Sequence, residues 1–129
     1  MNKIIIEVSI GELLDKISIL EIKREKIKDP EKLKFIINEH SILKDQLNNS
    51  LETDEKIDKL FQSLKDINTK LWNIEDDKRQ CERDKDFGEK FIKLSRDVHF
   101  LNDDRANIKL EINNLTGSTI KEIKEYTSY

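Results

Sequence analysis

The sequence predicts an all-α protein: an antiparallel helical bundle built around a long, coiled-coil-like helical hairpin, with one short β-strand at the front. Three observations predict it. Charged residues make up 40% of the 129 positions and hydrophobic ones 36%, with 3 Gly and 1 Pro, a balance that suits long solvent-exposed helices and not Gly-rich sheets. Apolar residues recur in alternating steps of three and four over most of the chain, the period of one helix face. Ser and Asp residues stand where each of those runs begins, as helix caps do.

Element by element, residues 3–8 hold Ile4, Ile5, Ile6 and Val8, a β-branched run that reads as a strand, paired with the C-terminal segment or with the same strand of a second copy. Ser9 with Glu12 forms a capping box that starts a helix over 10–28, whose stripe is Ile10, Leu13, Ile17, Leu20, Arg24 and Ile27, widened by Leu14. Asp29 before Pro30 starts a second helix over 30–49, with Leu33, Ile36, His40, Leu43 and Leu47 on one face. Thr53 or Asp54 caps a third over 54–84, the most regular, through Ile57, Leu60, Leu64, Ile67, Leu71, Ile74, Lys78 and Cys81. Asp86 and Glu89 repeat the capping-box logic for a fourth over 87–116, which Gly117 ends. The last two helices, about 28 residues or roughly 42 Å each, are separated by so few residues that they must fold back on one another. The first two are too short to cover that hairpin, so its far tip projects bare or is covered by a second subunit. The tail, 118–129, is a last helical turn or a strand answering the first. All of this fits a single domain over 1–129.

Composition also limits function. The 24 basic and 27 acidic side chains are interleaved and leave a net charge of -3, so no field of one sign is present for nucleic acid or an anionic membrane. The longest apolar run, Ile4 to Ile6, is far short of a membrane span, and a single Cys81 forms no internal disulfide; the expectation is a cytoplasmic protein. There is no H-E-x-x-H, no Gly-rich phosphate loop, no G-x-S-x-G and no cysteine pair for zinc. All-α nucleotide pyrophosphohydrolases need two Glu-x-x-Glu/Asp sets to hold magnesium; Glu12 and Asp15 make one, and no second aligns with it. Asp97 with His99, and Asp103 with Asp104, diverge on a helix and suit a solvated face. The sequence predicts no metal and no cofactor, and leans away from an enzyme.

The informative residues are polar ones on apolar stripes: Arg24, His40, Lys78 and Arg105 need partners if buried. Arg105 continues a ladder of Asn102, Lys109 and Asn113 along one face of the fourth helix. On the facing arm, Trp72, Glu75 and Asp76 come opposite residues near 98–102. One reading is a small pocket, with Trp72 as a stacking wall, Arg105 and Lys109 on an anionic group, and Asn102 and Asn113 fixing orientation. The other is a self-satisfied polar network that fixes the register of two heptad helices. Both stay open at this point.

Three stretches carry a family resemblance: "VSIGELLDKISILEIK", then "LWNIEDD" with "DFGEKFIKLSRDVHFLNDDRANIKLEIN", then Gly117-Ser118 and a short tail ending in Tyr. They resemble a short bacterial domain-of-unknown-function family, also carried by phages, whose members tend to sit beside sugar-transferase and surface-polysaccharide genes. The motif residues, as they stand here, are Gly11, Glu12, Asp15, Lys16, Glu21, Lys23, Trp72, Glu75, Asp76, Asp86, Phe87, Gly88, Asn102, Arg105, Lys109 and Asn113. The tail "IKEYTSY" departs from the family's Glu-Lys-Ser-Tyr. The resemblance implies a fold and a genomic setting but no activity, and it adds Asp15 and Lys16 to the candidate site, since capping explains Ser9 and Glu12 but not these two. Together these readings give a non-enzymatic helical interaction module in surface-glycan metabolism, self-associating as a dimer and meeting a protein partner. The alternative is a small enzyme or binding protein for a phosphorylated sugar or nucleotide, an anionic ligand.

Overall fold

The computed structural model describes residues 2–120 and 122–129; Met1 and Lys121, which the expected domain and tail include, lie outside them. Four helices follow in order: α1 (Ile10–Lys26), α2 (Pro30–Ser50), α3 (Glu55–Asp84) and α4 (Glu89–Thr116). Cap chemistry explains each start. The Ser9 hydroxyl accepts from the Glu12 amide at 3.0 Å, Asp29 Oδ1 from the Glu31 amide at 3.0 Å, and Asp54 Oδ1 from the Ile57 amide at 2.9 Å. At α4 the sequence reading is corrected. The helix starts at Glu89, not at residue 87, because Asp86 Oδ1 takes the Gly88 amide at 3.1 Å and holds the chain in a turn.

The ends are as informative. The α3 C-cap, Lys85, sits in the left-handed region at φ 53°, and the α4 C-cap, Gly117, at φ 68°. Residues 85–88 then reverse the chain, and α3 and α4 pack antiparallel, with Lys78 Nζ 5.7 Å from the Phe91 ring centroid. α1 lies between α2 on one side and the α3/α4 pair on the other, and packs on all three.

The core is where these layers meet: Leu13, Leu14 and Ile17 of α1, Leu47 of α2, Ile57 and Leu64 of α3, and Ile112 of α4. Because α1 is covered on two sides, it buries more than a heptad stripe, Asp15, Ser18 and Ile22 included, and Arg24, expected on the stripe, is exposed. Toward the turn at 85–88 the long helices cover each other, and Cys81 is the buried side chain there. No helix among the described residues is long and apolar enough to cross a membrane.

The expected N-terminal strand is not formed. Residues 2–9 are without regular structure, and Ile4, Ile5 and Ile6 are 90%, 86% and 72% exposed. A β-branched run favours extended backbone, but a strand also needs an edge to pair with, and the tail goes elsewhere. After Gly117 it turns back along α4 as neither helix nor strand among its described residues. Glu122 reaches Lys109 at 2.9 Å, and the Tyr129 ring packs 5.1 Å from Phe100 and 5.2 Å from His99.

Candidate functional site

The polar ladder of α4 meets α1 and α3 in a buried network. Asp15 has a side chain 2% exposed, and Arg105 grips it with two nitrogens: Nε donates to Oδ1 at 2.9 Å and Nη2 donates to Oδ2. Asn68 Nδ2 donates to Asp15 Oδ1 at 2.9 Å and to Ser18 Oγ at 2.8 Å, and the Ser18 hydroxyl donates to the Asp15 carbonyl at 2.7 Å. Three helices thus share one buried carboxylate. The Asp15 hydrogen bond holds the Arg105 pKa above its ordinary value, against the desolvation that would lower it. Arg105 Nη1 lies 3.5 Å from Asn102 Oδ1, at the limit of a hydrogen bond.

One turn on, Lys109 Nζ sits between two carboxylates, 2.7 Å from Glu12 Oε2 and 2.9 Å from Glu122 Oε2. Burial is the largest single influence on Lys109 and pulls its pKa down, but the hydrogen bonds to Glu12 and Glu122, with the charges of Glu12 and Asp15, act against it and the net shift is upward. Glu122 is held below the usual carboxylate range, first by the Lys109 hydrogen bond. Glu12 was expected to reach back to the Ser9 amide and close the capping box; its carboxylate instead bridges to Lys109. A further turn on, Asn113 Oδ1 accepts from the Gly11 amide at 2.7 Å, and α1 and α4 come close enough that a Cβ on Gly11 would lie 2.6 Å from the Lys109 carbonyl oxygen.

Trp72, Glu75, Asp76 and Arg105 line one groove of about 310 Å³ beside Ile19, Ile22 and Arg79. The structure therefore brings the sequence candidates together in two sets joined by Arg105. The buried set holds Asp15 and Arg105, with Asn102, Lys109 and Asn113 along the same helix; the open set holds Trp72, Glu75 and Asp76. Lys16 joins neither and is exposed on α1. Among the described residues, no group of three or more His, Cys, Asp and Glu side chains is placed to hold a metal ion.

A model of the DUF6165 family, a family of unknown function, matches residues 4–129. The chain belongs to DUF6165. No curated protein and no solved structure matches it. The matched span covers every candidate side chain, so both sets belong to the DUF6165 domain itself.

Sequence reasoning missed two members of the buried set, Ser18 and Asn68. Asn68 lies four residues after Leu64 and three before Leu71, the same steps as the seam, and that spacing was its available signal. A second missed cluster ties α1 to α2 and α3: Glu21 accepts from His40 at 3.2 Å and Lys65 at 3.4 Å, and Lys65 Nζ also donates to Glu25 at 2.8 Å. The Glu25 hydrogen bond raises the Lys65 pKa and lowers that of Glu25.

Proposed function

We propose that the chain is a non-enzymatic helical interaction module, self-associating and docking a protein partner, in the surface-glycan setting that the family resemblance suggests. The observation that carries this reading is that the charged side chains best suited to a ligand are already held inside the protein. Asp15 answers Arg105 and Asn68, Lys109 answers Glu12 and Glu122, and no buried side-chain nitrogen or oxygen among the described residues lacks a hydrogen-bond partner. A phosphate bound at Lys109 would have to displace two carboxylates. Surface apolar groups support the same reading: Ile4, Ile5 and Ile6 stand in solvent on one segment, the kind of apolar strip that a partner covers.

The test pairs light scattering with a thermal-shift screen of nucleotides and sugar phosphates. A dimer with an unchanged melting temperature supports the module. A ligand at 100 times its Kd would stabilise the chain by about 2.7 kcal/mol, and such a shift, lost in Arg105→Met, would replace this reading with a phosphate-binding one.

A further inference from the structure

The buried network has a consequence for the groove beside it. With Arg105 neutralised by Asp15, the charges left on the rim are those of Glu75, Asp76 and Arg79, one net negative charge beside an indole. Trp72, Glu75, Asp76 and Arg79 are spaced i, i+3, i+4 and i+7, one face of α3. None of these four side chains makes a hydrogen bond or ion pair with the described residues, in contrast to the candidates of the buried set. Glu75 and Arg79 have the spacing to pair with each other along the helix and do not. The wall opposite is aliphatic, from Ile19 of α1.

An anion is disfavoured here by two carboxylates and gains little from an arginine already bound on two nitrogens. An organic cation on an apolar stem fits each feature. Its methylenes lie along Ile19, its charged head faces the Trp72 ring, and Glu75 and Asp76 supply the counter-charge. We propose that this groove receives a lysine or arginine side chain from an exposed segment of a partner protein, which names the partner chemistry for the interaction module and rests on that reading.

Trp72 is the single tryptophan, so its fluorescence reports on the groove directly. The probes are capped tripeptides with a central arginine or lysine, matched peptides with citrulline or norleucine there, and glucose 1-phosphate as an anion. The basic peptides should change Trp72 emission saturably, and the change should weaken as salt rises. The neutral peptides and the phosphate should leave emission flat. Glu75→Gln or Asp76→Asn should weaken binding up to about fivefold, and Arg79→Gln should tighten it by a similar factor, the range that exposed charge pairs give. These positions are exposed, so an unchanged melting temperature shows that each variant is folded.

A response to the neutral peptide or the phosphate as strong as to arginine, no response to the basic peptides, or indifference to all three substitutions would overturn the proposal. Light scattering on the same samples separates the two claims. A dimer that ignores basic peptides removes the groove proposal alone, while a monomer that binds them removes self-association alone.

Discussion

The Gly11 amide donates to Asn113 Oδ1 at 2.7 Å while its Cα faces the Lys109 carbonyl, so α1 and α4 touch backbone to backbone where the polar ladder of α4 ends. A methyl group at residue 11 would meet that carbonyl oxygen at 2.6 Å and the Asn113 oxygen at 2.9 Å. Backbone cannot yield as a side-chain tip can, so the helices would have to separate. Gly11→Ala should therefore destabilise the chain by about 3 kcal/mol, combining overpacking with a lost buried hydrogen bond. Urea denaturation measures this. A loss no larger than a few tenths of a kcal/mol would mean that the contact is looser than described.

Arg105 and Asp15 give the next test, because a pair of this kind is costly to break and cheap to replace. Arg105→Met leaves the Asp15 carboxylate buried with Asn68 as its remaining side-chain donor, and should cost about 3 kcal/mol. The double variant Asp15→Asn, Arg105→Met removes the orphaned charge and should recover most of that loss. Equal losses in the single and double variants would show that Asp15 is not held as a buried anion.

What was legible in the sequence follows from how local each signal is. Helix starts depend on contacts within a turn, so Ser9 and Asp29 could be read directly and the third cap narrowed to Thr53 or Asp54; Ser9, Asp29 and Asp54 each accept an amide. Arg105, Asn102, Lys109 and Asn113 could be placed on one face because helix geometry alone does so. What approaches that face depends on how α1 crosses the long pair, and no spacing reports this. For that reason the partner of Arg105 is Asp15, Lys109 is enclosed by Glu12 and Glu122, and Asn68 went unseen. Residues 3–8 failed as a strand for a related reason: extended preference is local, whereas a pairing edge is not.

Lys85 closes α3 in a left-handed conformation that glycine adopts without cost, and its backbone amide is bonded to the Cys81 and Glu82 carbonyls. Lys85→Gly should stabilise the chain by about 1 kcal/mol, since relieving the strain outweighs the added freedom of the unfolded chain. Gly117→Ala is the converse. A Cβ there meets nothing within 4 Å, so the loss of about 1 kcal/mol would come from the φ of 68° alone. Thermal unfolding of both variants checks the pair; a destabilised Lys85→Gly would show that its side chain matters more than its backbone.

Docking of the tail on α4 should depend on pH through Glu122. Facing it are Lys109 of α4, held in turn by Glu12 of α1, and Lys124 of the tail at 3.6 Å. The Lys109 hydrogen bond lowers the Glu122 pKa, so the contribution of Glu122 to docking is complete above the undocked carboxyl value of about 4.3 and fades as pH falls through the lower docked value. Lys109 is shifted the other way: its contribution is complete below about pH 10.4 and fades as pH rises through the raised value. The expected result is a tail docked across the neutral range and released in acid. Ring resonances of Tyr129, which packs on Phe100 and His99, report the change by NMR. Glu122→Gln should weaken docking at neutral pH and flatten the acid transition. If the acid transition persists unchanged in Glu122→Gln, another carboxylate controls the tail, and Asp103, which accepts from the Tyr129 hydroxyl, is the first to examine.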